Sequence, residues 1–133
     1  SKFINTDCSI IEIGVSEGGS LDYWKKCLGN KAKVVGIDVN PDCKKFDNPN
    51  RNIYVEIGDA RNKDFTDQLI RKYGCPDIII DDGDHRSGSI KSSLVNLWPY
   101  LNKDGIYMIE DIHGIYWQSQ ETWDTSLIEF LWA

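Results

Sequence analysis

The stretch from residue 9 to residue 20, S-I-I-E-I-G-V-S-E-G-G-S, joins an apolar run to a glycine-rich turn. The first five residues are mostly β-branched or apolar and stop at Gly14, which predicts a buried strand. The apolar residues that follow recur at spacings of three and four, as on one face of a helix: Leu21, Trp24, Cys27 and Leu28. A strand, a glycine turn and a helix in this order predict the first half of a parallel βαβ unit.

The same alternation continues along the chain. Four further apolar runs, each ended by an acidic residue or glycine, predict strands at residues 33–37, 52–57, 77–80 and 106–109. Two more sets of apolar residues have helical spacing, the first with Phe65, Leu69 and Tyr73 and the second with Ile90, Leu94, Leu97, Trp98 and Leu101. Alternating strands and helices pair in parallel through right-handed crossovers. The expected fold class is therefore α/β, an open, doubly wound, mostly parallel sheet, in one domain over residues 1–133.

Composition limits the classes of function. The 133 residues carry 15 basic and 21 acidic side chains, a net charge of −6, which argues against a nucleic-acid partner. The longest apolar run is far shorter than the roughly 20 residues that a membrane span needs. The four cysteines stand singly, without the close pairs of a zinc site, so reduced thiols and a cytoplasmic location are expected.

Every predicted strand ends in acidic residues or glycine: Glu12/Gly14, Asp38, Gly58/Asp59, Asp81/Asp82 and Glu110/Asp111. The carboxyl ends of parallel strands meet at one rim, and ligands bind there near the switch in strand order. Because like charges at such a rim repel one another, we expect a cationic group to bind among them.

The glycine turn differs from the turn that binds dinucleotides. Ser16 occupies the place of the second glycine, and Glu12 and Glu17 would repel a phosphate. An acidic turn suits a ligand with an ammonium and a sulfonium group but no phosphate, such as S-adenosylmethionine. Asp38 is then placed to accept the ribose hydroxyls. Asp59 has two open roles, accepting from the adenine amino group or capping a helix that begins near Arg61.

A second set of acidic residues lies at the ends of the last two predicted strands. Asp82, Glu110 and Asp111 offer three carboxylates, which suit Mg²⁺ better than Zn²⁺. His85 follows on a glycine-containing turn and could take a proton from a substrate hydroxyl near neutral pH. Helix capping or solvent exposure is the alternative for His85, and His113 is a weaker candidate for ligand contact.

Three aromatic residues follow the second acidic cluster: Tyr116, Trp117 and Trp123. Their flat faces could form one wall of an acceptor pocket. The alternative, which we favour, is that they pack a last amphipathic segment, residues 123–132, against the sheet.

Four motifs carry a family resemblance: E-I-G-V-x-x-G-G-S-L at 12–21, G-I-D at 36–38, D-D-G-x-H at 81–85 and I-E-D at 109–111. Together they resemble class I S-adenosylmethionine-dependent methyltransferases, with a Rossmann-like sheet. More narrowly, they resemble the branch of Mg²⁺-dependent macrolide sugar O-methyltransferases and cephalosporin hydroxylase-like proteins. The resemblance spans residues 9–117.

The resemblance implies a role for each matched residue. The implied metal ligands are Asp82, Glu110 and Asp111, with His85 as general base. The implied cofactor contacts are Glu12, Gly14, Ser20, Asp38, Asp59 and Asp81. Asp84 departs from the pattern, because it stands where a serine is expected and adds negative charge beside His85. The last strands of the family fold are also not apparent, as expected for a fragment or a reduced member.

The expected function is therefore Mg²⁺-assisted transfer of a methyl group from S-adenosylmethionine to a hydroxyl of a small molecule, a sugar or another vicinal diol. A homo-oligomer is left open. One alternative is a non-catalytic binding domain with the same fold. Another is a hydroxylase-like oxidoreductase, although no two-histidine, one-carboxylate iron site is recognisable in the sequence.

Overall fold

The structure is a computed structural model that describes residues 2–112 and 130–131. His113, the three aromatic residues Tyr116, Trp117 and Trp123, and nearly all of the predicted last segment lie outside the described residues. Within the described residues, no helix has the length and apolar composition required to cross a bilayer.

Five parallel strands form one sheet with the order β3-β2-β1-β4-β5. The strands are β1 (Ser9–Ile13), β2 (Lys33–Asp38), β3 (Ile53–Ile57), β4 (Ile78–Asp81) and β5 (Ile106–Ile109). All four strand pairs run in parallel, which confirms the predicted fold class of a doubly wound α/β sheet.

Three α-helices connect the strands: α1 (Gly19–Leu28), α2 (Lys63–Tyr73) and α3 (Ser87–Leu97). Short 3₁₀ helices occupy Pro41–Phe46, Pro49–Arg51 and Trp98–Tyr100. The first two lie in the proline-containing connection between β2 and β3, where prolines prevent a long helix. The side chain of Asn62 caps α2 by accepting from Phe65 N, and Gly74 ends it at φ 85°.

The helices cover both faces of the sheet. Helix α1 packs Leu21 and Leu28 against one face, where the side chain of Ile10 is fully buried. Helix α2 and the end of α3 pack against the other face, where Ile11 is fully buried. Neighbouring residues of β1 thus belong to different layers of the core. This is why the strand is a continuous apolar run rather than an alternating one.

The switch in strand order lies between β1 and β4. From β1 the chain builds outward to β2 and β3, and it then returns to the other side of β1 with β4 and β5. Ile13 lies opposite both Ile37 and Asp81, and Asp81 lies opposite Ile109. The carboxyl ends of these four strands are therefore level, and the residues just beyond them gather at one rim.

One predicted helix face was partly wrong. Cys27 is exposed, and Lys25, which is 4% exposed, is buried in that turn of α1 together with Leu28. The Lys25 ammonium donates to the carbonyls of Asn30, at 2.8 Å, and Ala32. The stem of the lysine fills the apolar layer while its charge is satisfied by the chain that leaves the helix. Burial lowers the pKa of Lys25. Trp98, predicted on the apolar face of the third helix, is 57% exposed.

Candidate active site

A cavity of about 330 Å³ opens at the rim, beyond the ends of β1, β2, β3 and β4. Its volume is within the range of small-molecule sites. Its walls include the glycine turn at Gly14, the end of β2 at Asp38, residues 58–61 and residues 81–84. The structure therefore brings together four of the predicted cofactor residues, namely Gly14, Asp38, Asp59 and Asp81.

Gly14 lies where two loops touch. Its φ is +92°, and a Cβ there would lie 2.2 Å from the carbonyl oxygen of Asp82. Gly14 N donates to Ile37 O at 2.8 Å, and Asp82 N donates to Ile13 O at 2.9 Å. Only glycine fits this position, because it combines a left-handed backbone with contact against another backbone. The turn after β1 and the loop after β4 are thereby fixed to each other.

Asp38 holds the glycine turn in place. Its Oδ2 accepts from Val15 N at 2.9 Å and Ser16 N at 3.1 Å, and its Oδ1 accepts from Asn40 N at 2.9 Å. Burial disfavours the charged carboxylate, but these backbone donors outweigh it and lower the pKa of Asp38. The residue lines the cavity and also shapes the turn, and its contact with a ribose stays a prediction.

Glu12 and Ser20 lie behind the cavity rather than in its wall. Glu12 is 1% exposed and accepts from Ser20 Oγ at 2.7 Å and from Trp24 Nε1 at 3.2 Å. The side chain of Glu12 alternates with that of Ile13, so it is directed toward α1. Burial is the main cause of a raised pKa for Glu12. Both residues connect β1 to α1, and direct contact with a cofactor remains a prediction.

Asp59 is paired with Arg61. The carboxylate accepts from Arg61 N at 2.9 Å and from the guanidinium at 2.7–3.0 Å. These bonds lower the pKa of Asp59. The predicted alternative that Asp59 caps the next helix is wrong, because α2 begins at Lys63 and its cap is Asn62. The sequence patterns did not single out Arg61, although its position two residues after Asp59 was a usable signal.

The Asp81 carboxylate is buried in the wall of the cavity. The residue is 3% exposed, and its Oδ1 accepts from Gly83 N at 3.3 Å. Its Oδ2 is buried and has no hydrogen-bond partner among the described residues. Burial raises the pKa of Asp81 to about 6. Burial and the neighbouring Asp81 carboxylate raise the pKa of the buried Tyr107 hydroxyl, which keeps a protonated donor beside Asp81.

Asp82, His85 and Asp111 form an acidic group beside this cavity. One potential ligand atom from each lies within 4.8 Å of the others, and His85 Nε2 is 3.7 Å from Asp82 Oδ1. His85 and Asp111 both have a left-handed backbone, with φ of 59° and 51°. Sparsely populated conformations of this kind concentrate at functional sites. His85 thus faces a carboxylate and is neither a helix cap nor fully exposed, and its role as general base stays a prediction.

Glu110, the remaining predicted metal ligand, is adjacent but not a member of that group of three. Burial and the charges of Asp82 and Asp111 raise the pKa of Glu110. The three predicted ligands therefore lie close enough to repel one another. Carboxylate oxygens are the donors that Mg²⁺ prefers, so the residues present fit such an ion.

Asp84, the departure from the family pattern, accepts hydrogen bonds at the start of α3. Its Oδ1 accepts from Arg86 N at 3.1 Å, and its Oδ2 accepts from Ser89 Oγ at 2.9 Å. The additional negative charge thus receives hydrogen bonds from the same loop and helix. Asp84 and Ser89 both line the cavity.

The carboxylates of the rim divide into two groups. Those with two or more hydrogen bonds from protein donors are Glu12, Asp38, Asp59 and Asp84. Those with at most one such bond among the described residues are Asp81, Asp82, Glu110 and Asp111. The expected requirement for a bound cation therefore applies to the second group, since the protein itself satisfies the first.

Comparisons with known proteins agree with this arrangement. The sequence profile of a family described as a methyltransferase domain matches residues 11–112. The mycinamicin VI 2''-O-methyltransferase of Micromonospora griseorubida is 32% identical over 120 residues, covering 85% of this chain and 29% of that protein. The demethylmacrocin O-methyltransferase of Streptomyces fradiae is 29% identical, covering 87% of this chain and 30% of that protein.

The fold comparison gives the same result. The MycE methyltransferase from the mycinamycin biosynthetic pathway, solved in complex with Mg and SAH, superimposes with a TM-score of 0.81 at 31% identity. The match covers 89% of this chain and 31% of MycE. The chain thus spans about a third of the length of the relatives that it matches. Since the family profile covers most of the sequence, the chain belongs to the methyltransferase-domain family.

Proposed function

We propose that the protein is an S-adenosylmethionine-dependent, Mg²⁺-assisted O-methyltransferase that acts on a hydroxyl of a small molecule. One observation carries the proposal. A ligand-sized cavity and the acidic group of Asp82, His85 and Asp111 share the loop after β4, at the switch in strand order. A methyl donor and an acceptor hydroxyl would need neighbouring sites of this kind.

The cavity would hold S-adenosylmethionine, which supplies a methyl group on a sulfonium. Gly14 lets the backbone approach the ligand closely, and Asp38 is placed for the ribose. Asp59 would accept from the adenine amine, and the Asp81 carboxylate from the ammonium of the amino-acid end. Glu12 and Ser20 would act on the ligand through α1, whose position relative to β1 they fix.

Asp82, Glu110 and Asp111 would hold Mg²⁺, which supplies Lewis-acid polarisation of the acceptor hydroxyl. His85 would accept the proton of that hydroxyl. Bound S-adenosylmethionine would supply the methyl group to the hydroxyl oxygen that His85 deprotonates, and its sulfur would keep the electron pair of the broken carbon–sulfur bond. The products are a methyl ether, S-adenosylhomocysteine and a protonated His85.

The acceptor we propose is a sugar hydroxyl or another vicinal diol. The named relatives act on macrolides or their sugars, mycinamicin VI at its 2''-oxygen among them. We also propose that residues 1–133 form one domain and that the location is cytoplasmic. A homo-oligomer stays open, and the acceptor wall of Tyr116, Trp117 and Trp123 stays a prediction.

The test is titration calorimetry with S-adenosylhomocysteine, with and without Mg²⁺, followed by a transfer assay. The assay supplies S-adenosylmethionine with a labelled methyl group and a panel of sugars and catechols. We expect binding of the nucleoside, and label transfer that depends on Mg²⁺. Nucleoside binding without transfer to any acceptor would favour the non-catalytic domain. Product formed only with O₂ and Fe²⁺ would favour the oxidoreductase, and no nucleoside binding would overturn the proposal.

A further inference from the structure

Arg61 is the one basic side chain among the described residues that line the cavity, where it lies with five carboxylates. These are Asp38, Asp59, Asp81, Asp82 and Asp84. Sequence patterns gave Arg61 no role beyond its proximity to a predicted helix start. Its position among acceptors raises the question of what the guanidinium does there.

The Arg61 guanidinium forms several hydrogen bonds to the Asp59 carboxylate. Arg61 Nη2 donates to Asp59 Oδ2 at 2.7 Å, and Nε lies 3.0 Å from both oxygens of Asp59. The backbone N–H of Arg61 also donates to Asp59 Oδ1 at 2.9 Å. A planar fork of this kind fixes the plane of the carboxylate, which the point charge of a lysine does not do.

Stability does not explain the pair. The side chains of Arg61 and Asp59 are 53% and 36% exposed. Ion pairs this exposed contribute little to the free energy of unfolding. The consequence of the pair is therefore local, namely the orientation of the Asp59 carboxylate in the cavity wall.

The backbone of this loop is fixed from the opposite side. Asn96, on α3, donates through Nδ2 to the carbonyls of Ala60 and Arg61, each at 3.0 Å. Asn62 N donates to Asp59 O at 2.9 Å. The backbone of the loop between β3 and α2 is thus held by a helix that also begins at the cavity.

We propose that Arg61 is a positioning residue that holds Asp59 as an oriented hydrogen-bond acceptor, so that the cavity selects a nucleoside with an exocyclic amine over one with a carbonyl there. The inference rests on the proposed function, since it requires that the nucleoside end of the ligand lies against Asp59. A carboxylate fixed as an acceptor takes a hydrogen bond from an amine, whereas a carbonyl oxygen has no hydrogen to donate and is repelled. Sites built to bond one polar group reject the analogue that lacks it.

The test compares two nucleosides by titration calorimetry. The first is S-adenosylhomocysteine, and the second is S-inosylhomocysteine, in which a carbonyl replaces the amine. Wild-type protein is expected to prefer the amine at least about tenfold, the effect of one hydrogen bond to a charged group. Arg61→Met keeps the length of the side chain and removes its donors. We expect it to bring the ratio of the two affinities close to one, mainly by weakening binding of the amine.

Three further variants make the result specific. Arg61→Lys keeps the charge without the fork and is expected to restore only part of the preference. Asp59→Asn can offer either a carbonyl or an amide N–H, so its ratio should also approach one. The double variant Arg61→Met/Asp59→Asn should be no less selective than either single variant. Arg71→Met, on the exposed side of α2, is the control and should keep the wild-type ratio.

The possible outcomes separate this inference from the proposed function. If wild-type protein binds the amine with preference and Arg61→Met keeps that preference, the role of Arg61 is wrong while the proposed function stands. A folded Arg61→Met variant that loses affinity for both nucleosides equally also overturns the inference, because the role is then one of general binding. If wild-type protein binds neither nucleoside, the proposed function falls and this inference falls with it.

Discussion

Asp82 connects the two parts of the site at the scale of a single residue. Its backbone N–H closes the end of β1 onto β4 by donating to Ile13 O, while its side chain faces His85. We predict that Asp82→Ala abolishes Mg²⁺-dependent turnover and leaves the affinity for S-adenosylhomocysteine nearly unchanged. The reason is that the side chain contributes to the acidic group, whereas the backbone bond that shapes the cavity survives.

Calorimetry with the nucleoside and with Mg²⁺ separately measures both effects. Asp64→Ala, in the first turn of α2, is the control, since it removes one carboxylate away from the cavity. An equal loss of nucleoside affinity in Asp82→Ala would contradict a separate metal site.

One variant can separate the two candidate roles of His85, general base and metal ligand. We predict that His85→Ala keeps the affinities for nucleoside and for Mg²⁺ but lowers kcat by about 10²–10⁴, the usual contribution of a general base. The structure also places a His85 nitrogen within 4.8 Å of ligand atoms of Asp82 and Asp111. If the variant loses Mg²⁺ affinity, His85 is a metal ligand instead, and full retention of turnover would exclude both roles.

Asp38 makes the stability of the protein depend on pH. Burial disfavours its charged form, but three backbone donors outweigh burial and lower its pKa in the folded state. A depressed folded pKa adds stability above the unfolded value of about 3.9, and this stability is lost as pH falls through the folded value. We predict that Asp38→Asn lowers the free energy of unfolding at pH 7 by about 1–3 kcal/mol, the range for lost bonds to a charged acceptor.

Urea titrations between pH 7 and pH 3 measure this effect. The difference between wild type and Asp38→Asn should shrink as the pH falls below about 4, near the unfolded pKa. Asp42→Asn, a nearby substitution in the first turn of the 3₁₀ helix Pro41–Phe46, is the comparison and should leave the profile close to that of wild type. A difference that stays constant from pH 7 to pH 3 would show that charge plays no part.

At the scale of elements, the glycine turn gives a matched pair of substitutions. Gly14 has φ +92° and lies against the carbonyl of Asp82, whereas Gly19, in the first turn of α1, has open space where a Cβ would lie. We predict that Gly14→Ala lowers the free energy of unfolding by about 2–4 kcal/mol, because left-handed strain adds to a backbone clash. Gly19→Ala should be neutral or stabilising by up to about 1 kcal/mol.

Thermal melting of both variants, with and without S-adenosylhomocysteine, measures this difference. Gly14→Ala should also lose affinity for the nucleoside, because the turn after β1 and the loop after β4 can no longer approach each other. Equal stability of the two variants would contradict the close contact at Gly14.

The strands and helices themselves could be predicted, because each depends on a local pattern in the sequence. Apolar runs bounded by glycine or aspartate placed β1 and β5 at Ser9–Ile13 and Ile106–Ile109, as the structure has them. The order of strands could not be read in this way, because it depends on pairings between distant segments. Lys25 was missed because a long polar side chain can bury its stem while its charge finds carbonyls beyond the helix.

The site was predictable to the extent that strand ends determine it. The topology of the fold brings Asp38, Asp59 and Asp81 to one rim, and this placement does not depend on the hydrogen bonds of their side chains. The partners of those side chains could not be predicted, because they depend on rotamers and loop conformations. Arg61 on Asp59 and Ser89 on Asp84 are two such cases. These partners explain why the rim tolerates more negative charge than the sequence alone suggests.

At the scale of the whole molecule, protein donors satisfy the carboxylates of the rim unevenly. Four carboxylates have few protein donors, and they lie at or just after the ends of β4 and β5: Asp81, Asp82, Glu110 and Asp111. Repulsion among them opposes folding of this side of the sheet, whereas the side that carries β2 and β3 satisfies its own charges. A cation bound at β4 and β5 should therefore stabilise the entire cooperative unit.

The uneven supply of donors also predicts how melting responds to salts. A ligand that binds only the folded state at 100 times its Kd adds about 2.7 kcal/mol to the free energy of unfolding. We predict that Mg²⁺ at millimolar concentration raises Tm by several degrees more than NaCl of equal ionic strength, and that S-adenosylhomocysteine adds a further increase. Salt screens the repulsion but does not coordinate the carboxylates.

Scanning calorimetry of wild type and Asp82→Ala is the measurement. The variant should respond to Mg²⁺ and NaCl alike while still responding to the nucleoside. An identical response of the wild-type protein to the two salts would mean that no divalent site stabilises this side of the sheet.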